Sequence, residues 1–148
     1  MELSSRIEYA LMALMELAAA RQRGASLSLS EIARRQVIPD RYLEKILANL
    51  RLSGIVQSQR GARGGYILTR SPQQITLPEI IRSLSLTHGG PVDARNDLSN
   101  PMTLERQLLH EIWQEVRQEH QEVLEQYTLA DICQRRDTTH PSNPMYYI

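Results

Sequence analysis

The run Arg60-Gly61-Ala62-Arg63-Gly64-Gly65 separates two short β-patterned segments, Ile55-Val56-Gln57-Ser58-Gln59 and Tyr66-Ile67-Leu68-Thr69. That placement constrains the fold more than any other feature. Glycine-rich loops that cradle a nucleotide phosphate join a strand to a helix N-terminus. This one joins strand to strand, and so reads as the tip of a β-hairpin carrying two arginines.

The segments upstream of the hairpin have helical period. From Glu2 to Arg23 the apolar residues Ile7, Leu11, Leu14, Met15 and Ala18 mark a first helix that stops at Gly24. Leu27 to Arg35 offers serines for an N-cap, Glu31 in the first turn, and Ile32 with Ala33 as an apolar face. Val37-Ile38-Pro39-Asp40 breaks this second helix, because proline restricts the residue before it and suits the start of the next helix. A third helix is expected from Asp40 to Leu52, with Tyr42, Leu43, Ile46, Leu47 and Leu50 inward and Arg41, Lys45, Asn49 and Arg51 outward. Two short helices with a tight turn followed by a basic hairpin have the order of a winged helix-turn-helix.

Downstream, Pro78 suits the first turn of a fourth helix, Leu77 to Leu86, after which residues 87–100 have no period and read as a loop. From Pro101 to Tyr127, Leu108, Leu109, Ile112, Trp113, Val116, Val123, Leu124 and Tyr127 form one stripe, and Glu111, Glu115, Glu119, Glu122 and Glu125 another. A helix of that length would span about 40 Å. The small N-terminal domain is too short to cover it, which predicts packing on a second copy through Leu109, Ile112, Trp113, Val116 and Val123. A helix folded back on its own domain is the alternative. The fold class expected is mostly α with minor β. Its parts are a winged helix-turn-helix domain over 1–86, an effector-type loop over 87–100, a dimerisation helix region over 101–136 and a loose tail over 137–148.

Charge sorts the chain into two halves despite a formal net charge of zero. Residues 1–70 hold eleven basic against six acidic side chains, and residues 71–148 hold six against eleven. Clustered positive charge is what counterion release from a phosphate backbone requires. A solvated basic face fits the same numbers. At 148 residues with 41% hydrophobic content, the chain fits one folded domain with an extension rather than two enzyme domains. No run of about 18 apolar residues is present, so no membrane partner and a cytoplasmic location are expected. The lone cysteine, Cys133, excludes an internal disulfide and any all-cysteine metal site within one chain. No nucleophile, base and orienting group occur at recognisable spacing, and scattered His88, His110, His120 and His140 make no ligand motif, so the chain does not read as an enzyme.

Taken together, Leu3, Ser4, Tyr9-Ala10-Leu11, Glu31-Ile32-Ala33, Tyr42-Leu43-Glu44-Lys45-Ile46-Leu47, Gly54-Ile55-Val56, Arg60-Gly61, Gly64-Gly65-Tyr66-Ile67-Leu68 and Thr128-Leu129-Ala130-Asp131-Ile132 closely resemble the IscR, NsrR and CymR family of bacterial transcriptional regulators. The resemblance implies a homodimer that places two winged domains on a near-palindromic stretch of double-stranded DNA. It puts Arg41, Tyr42, Glu44 and Lys45 on a recognition helix in the major groove, and Arg60 with Gly61 on a wing in the minor groove, with Arg63 a further candidate DNA contact. The chemistry agrees: Arg and Lys donate to guanine O6 and N7, Glu accepts from cytosine N4, and a minor-groove arginine senses groove width. Tyr42 has two readings, a half-buried core residue or a DNA contact. Glu44 either reads cytosine or orients a neighbouring arginine.

One departure matters. Cluster-binding members place three cysteines in the loop before the long helix, whereas His88 to Asn100 contains none. His110 and Glu8 match positions where some members supply an extra ligand, but an iron-sulfur centre depends on thiolates. No cofactor is therefore expected. The function expected is a sequence-specific DNA-binding repressor or activator without a three-cysteine cluster, answering to a small-molecule or protein effector. The alternatives are a winged-helix protein-interaction module, or a regulator sensing a metal or atypical cluster through Glu8, His88 or His110.

Overall fold

A computed structural model of the protein describes residues 3–85 and 103–139. In chain order the elements are α1 (Ser5–Gln22), α2 (Leu29–Gln36), α3 (Asp40–Leu52), β1 (Val56–Gln59), β2 (Gly65–Leu68), α4 (Leu77–Ser85), α5 (Leu104–Glu125) and α6 (Leu129–Thr139). A single 3-10 turn, Pro72–Gln74, lies between β2 and α4. The expected loop at 87–100, including His88, and the tail beyond Thr139 lie outside the described residues.

Local chemistry sets most of the boundaries. Ser4 accepts from the Ile7 N–H and starts α1. Ser28 and Glu31 form a reciprocal capping box: the Ser28 hydroxyl accepts from the Glu31 N–H, and the Glu31 carboxylate accepts from the Ser28 N–H at 2.8 Å. Thr103 caps α5 by accepting from the Arg106 N–H. At α6 the Thr128 hydroxyl accepts from the Asp131 N–H, while Asp131 accepts from both the N–H and the hydroxyl of Thr128 at 2.7 Å. These two carboxyls are held below the ordinary carboxylate range, first by the backbone N–H and second by the hydroxyl of their capping partner.

The core joins α1, α2, α3 and α4 to the hairpin through fully buried Leu14, Leu17, Ile32, Leu43, Ile46, Leu47, Leu50, Ile55, Leu68 and Ile80. Two expectations for α3 are corrected. Tyr42 is exposed rather than inward, and Asn49 is buried rather than outward. Residues 42 and 49 lie on the same flank of the helix, seven positions apart. The fold covers that flank at the C-terminal end of α3 and leaves it open at the N-terminal end.

The long helix is also shorter than its apolar stripe. It spans 22 residues, about 33 Å, from Leu104 to Glu125. The region expected to be dimerisation helix through residue 136 breaks at Gln126–Thr128. Across the break, the Leu77 N–H donates to the Tyr127 carbonyl and the Leu129 N–H to the Ile75 carbonyl, which pins the chain to the segment entering α4. Helix α6 then turns back to pack on α1, with Leu129 fully buried in the common core. It runs to Thr139, three residues into the segment expected to be tail.

Candidate nucleic-acid interface

The hairpin pairs Val56 with Leu68 and Gln59 with Gly65 in antiparallel register. A third, one-residue strand joins it, because Leu27 and Tyr66 exchange backbone hydrogen bonds at 2.7 and 3.2 Å. This approach requires glycine at 65, where a Cβ would stand 2.4 Å from the Leu27 carbonyl oxygen. The tip turns at Gly61 with φ +119°, a left-handed value that side chains other than glycine's resist. Two contacts fix the wing to the body. The Ser26 hydroxyl donates to the Arg63 carbonyl at 2.6 Å, and the Arg21 guanidinium donates to the Leu68 carbonyl at 3.1 Å.

Leu27 and Ser26 were not singled out in the sequence. A one-residue strand has no alternation to detect, so the only signal was a lone apolar residue between serines ahead of the cap at Ser28. Their effect is to mount the basic wing on the turn between α1 and α2. An open cleft of about 760 Å³ runs between that turn and the wing, lined among others by Arg23, Ser26, Ser28, Gln59 and Arg63.

Two sets stand out among the eleven cations of the N-terminal half. Arg35 pairs with Glu16 at 3.2 Å and Arg70 pairs with Glu79, while Arg21 serves β2, so these three are committed within the chain. Arg41 and Lys45 on α3, and Arg60 and Arg63 on the wing, are exposed. Among the described residues none of these four has an intramolecular ion pair or side-chain hydrogen bond. Glu44 is exposed on α3 beside them, and Tyr42 is 61% exposed. A helix N-terminal half and a hairpin tip that project unpaired cations from a rigid core suit the grooves and phosphates of duplex DNA.

Among the described residues nothing covers the stripe on α5. Leu109, Ile112, Trp113, Val116 and Val123 are all exposed, Trp113 at 60%, together with Leu104 and Leu108. Contiguous apolar surface of this kind marks an interaction face. On the polar side, Gln107 donates to Glu111, Gln118 to Glu122 and Gln121 to Glu125, each one helical turn on. Between α4 and α5 a crevice of about 210 Å³ is lined by Pro78, Ile81, Arg82, Arg117, His120 and Leu124. It presents His120 between the two helices.

Glu8 is exposed on α1 and His110 is exposed on α5. Among the described residues no group of three or more His, Cys, Asp or Glu side chains could hold a metal ion. Cys133 packs on α6 against the core, and burial pushes its thiol above the ordinary value. Among the described residues no helix is long and apolar enough to cross a membrane.

Comparison with known proteins agrees with this geometry. The family described as "Rrf2: Iron-dependent Transcriptional regulator" matches residues 3–135. The HTH-type transcriptional regulator CymR of Bacillus subtilis is 34% identical over 148 residues, covering all of both chains. Among solved structures, IscR of T. potens superposes with a TM-score of 0.75 at 30% identity, over 100% of this chain and 97% of that one. The structure of CymR, the global cysteine regulator of B. subtilis, gives 0.71 at 32% identity, over 91% of this chain and 98% of that one.

Proposed function

Because the chain belongs to the Rrf2 family of transcriptional regulators, we propose that it binds one DNA sequence as a homodimer, with α3 in the major groove and the hairpin tip in the minor groove of each half of a near-palindromic operator. The family and the relatives are transcriptional regulators, not enzymes. The observation that carries the reading is the unpaired set Arg41, Lys45, Arg60 and Arg63 on two elements tied to one core. The exposed stripe on α5 supports dimerisation: a second copy of the same stripe would cover it about a twofold axis. The working location is the cytoplasm, where bacterial DNA lies.

The family description names iron, so the donor set is decisive. An iron-sulfur cluster needs several thiolates, and the whole chain carries one cysteine, whose burial keeps its proton on. The residues do not fit such a cluster. We take the signal to be a small molecule or a partner protein instead, and the crevice between α4 and α5 is where an effector would touch both the winged domain and the α5 helix. The test is selection of random duplexes by the full chain. Enrichment of a two-part inverted sequence, lost in Arg60→Ala, is expected. No enrichment over the starting pool would contradict the proposal.

A further inference from the structure

The turn joining α2 to α3 contains the single left-handed residue other than glycine among the described residues. Val37 has φ 55° and ψ 47°. The backbone there is well fixed, since the N–H groups of Val37 and Ile38 both donate to the Ala33 carbonyl. Ile38 is buried and Pro39 opens α3. The conformation is thus demanded by the turn, and glycine or asparagine would adopt it with least strain. A β-branched residue is a poor choice for it. Among the described residues the side chain finds little packing in return, for it is 85% exposed, more than any other large apolar residue described.

Val37 is flanked in sequence by exposed Arg34 and Arg35 at the end of α2 and by exposed Arg41 at the start of α3. A solvent-facing isopropyl group in the turn that leads directly into the helix presenting Arg41, Tyr42, Glu44 and Lys45 has a fitting partner in a DNA groove. That partner is the C5-methyl of thymine, the apolar feature of the major-groove edge. We propose that Val37 is a specificity-determining residue that reads a thymine methyl in each half-site. This rests on the DNA-binding reading above and adds to it a residue outside the recognition helix.

The test uses the full chain, the duplex it selects, and the same duplex with deoxyuridine in place of single thymines, which removes only the methyl. Val37→Gly relieves the left-handed strain, so its melting temperature should equal or exceed that of the wild type. It should bind the thymine duplex about three- to tenfold more weakly, the range for one or two lost methyl contacts. At one position per half-site, deoxyuridine should weaken the wild type by a similar factor and leave Val37→Gly unaffected. Val37→Asn serves as a second variant that tolerates the same backbone and should behave as the glycine does. An unchanged affinity for both variants, or an equal loss on thymine and deoxyuridine duplexes, overturns the inference, as does a fall in melting temperature large enough to show that Val37 supports the fold. Wild-type binding to the selected duplex is read in the same titration, so the role of Val37 can fail while DNA binding stands. If the wild type selects no sequence, both fall.

Discussion

The ring of Tyr42 meets the ring of Tyr9 edge to face, with centroids 6.4 Å apart and planes at 66°. Tyr9 belongs to α1 and packs partly buried against the core, so it props an otherwise exposed ring at the open flank of α3. The Tyr42 hydroxyl has no partner among the described residues, which leaves it available for the proposed DNA contact. Tyr42→Phe should therefore leave the melting temperature unchanged while weakening operator binding by about 0.5–1.5 kcal/mol, the worth of one hydrogen bond. Tyr42→Ala should lower both, since the ring pair itself contributes about 0.5–1.5 kcal/mol beyond area burial. Thermal melts and duplex titrations separate the two effects.

Arg60 at the wing tip is exposed and unpaired, and the hairpin that carries it is held by Arg21 and Ser26. Arg60→Ala should weaken operator binding by about 1–3 kcal/mol without altering the fold. Circular dichroism and anisotropy on the same preparation check both halves of that statement.

Gly65 tests the mounting of the wing rather than its charge. A methyl group there would stand far inside van der Waals contact with the Leu27 carbonyl, and backbone cannot yield as a side-chain end can. Gly65→Ala should lose the Leu27–Tyr66 bridge, destabilise the chain by about 2 kcal/mol or more, and weaken DNA binding although no cation has been removed. Unaltered amide exchange protection at Leu27 and Tyr66 would count against this.

The capping carboxylates give a pH dependence with a definite sign. Glu31 and Asp131 are held below their ordinary values by Ser28 and Thr128. A depressed folded-state pKa contributes stability that is present above the unfolded value and lost as pH falls through the folded one. The melting temperature should be level from neutral pH to about 5 and decline below about 4.5. Glu31→Gln and Asp131→Asn should each lower it at pH 7 and make the acid decline shallower.

Trp113 is the centre of the uncovered stripe on α5. Trp113→Glu places a charge in the proposed dimer contact, where an unpaired buried charge is strongly unfavourable. Sedimentation at micromolar concentration should show a dimer for the wild type and a monomer for the variant.

Where the sequence carried strong local signals, its reading matches the structure closely. Helix α3 was legible to the residue because Pro39 and Gly54 bracket one apolar period. The hairpin was legible because glycines stood between two β-patterned runs. Long-range pairing was not. Leu27 reaches Tyr66 across 39 positions and Thr76 reaches Thr128 across 52, each as a single bridge with no pattern of its own. The division of α5 from α6 was hidden for a related reason, since the break at Gln126–Thr128 carries neither glycine nor proline, and Leu129 and Cys133 beyond it pack on the common core. Tyr42 and Asn49 could not be sorted from the helical period alone, because which part of a flank is covered depends on the neighbouring elements.

Recognition of one DNA sequence by α3 and the wing underlies the proposed function. It is tested most directly by titrating the full chain against its selected duplex and against a shuffled duplex of the same composition, between 50 and 200 mM salt, a range over which phosphate contacts cost roughly 10³ or more in affinity. The selected duplex should be bound at least about 10³-fold more tightly, both affinities should fall steeply with salt, and Lys45→Ala together with Arg60→Ala should flatten the fall. Equal affinity for the two duplexes, or binding indifferent to salt, would contradict it.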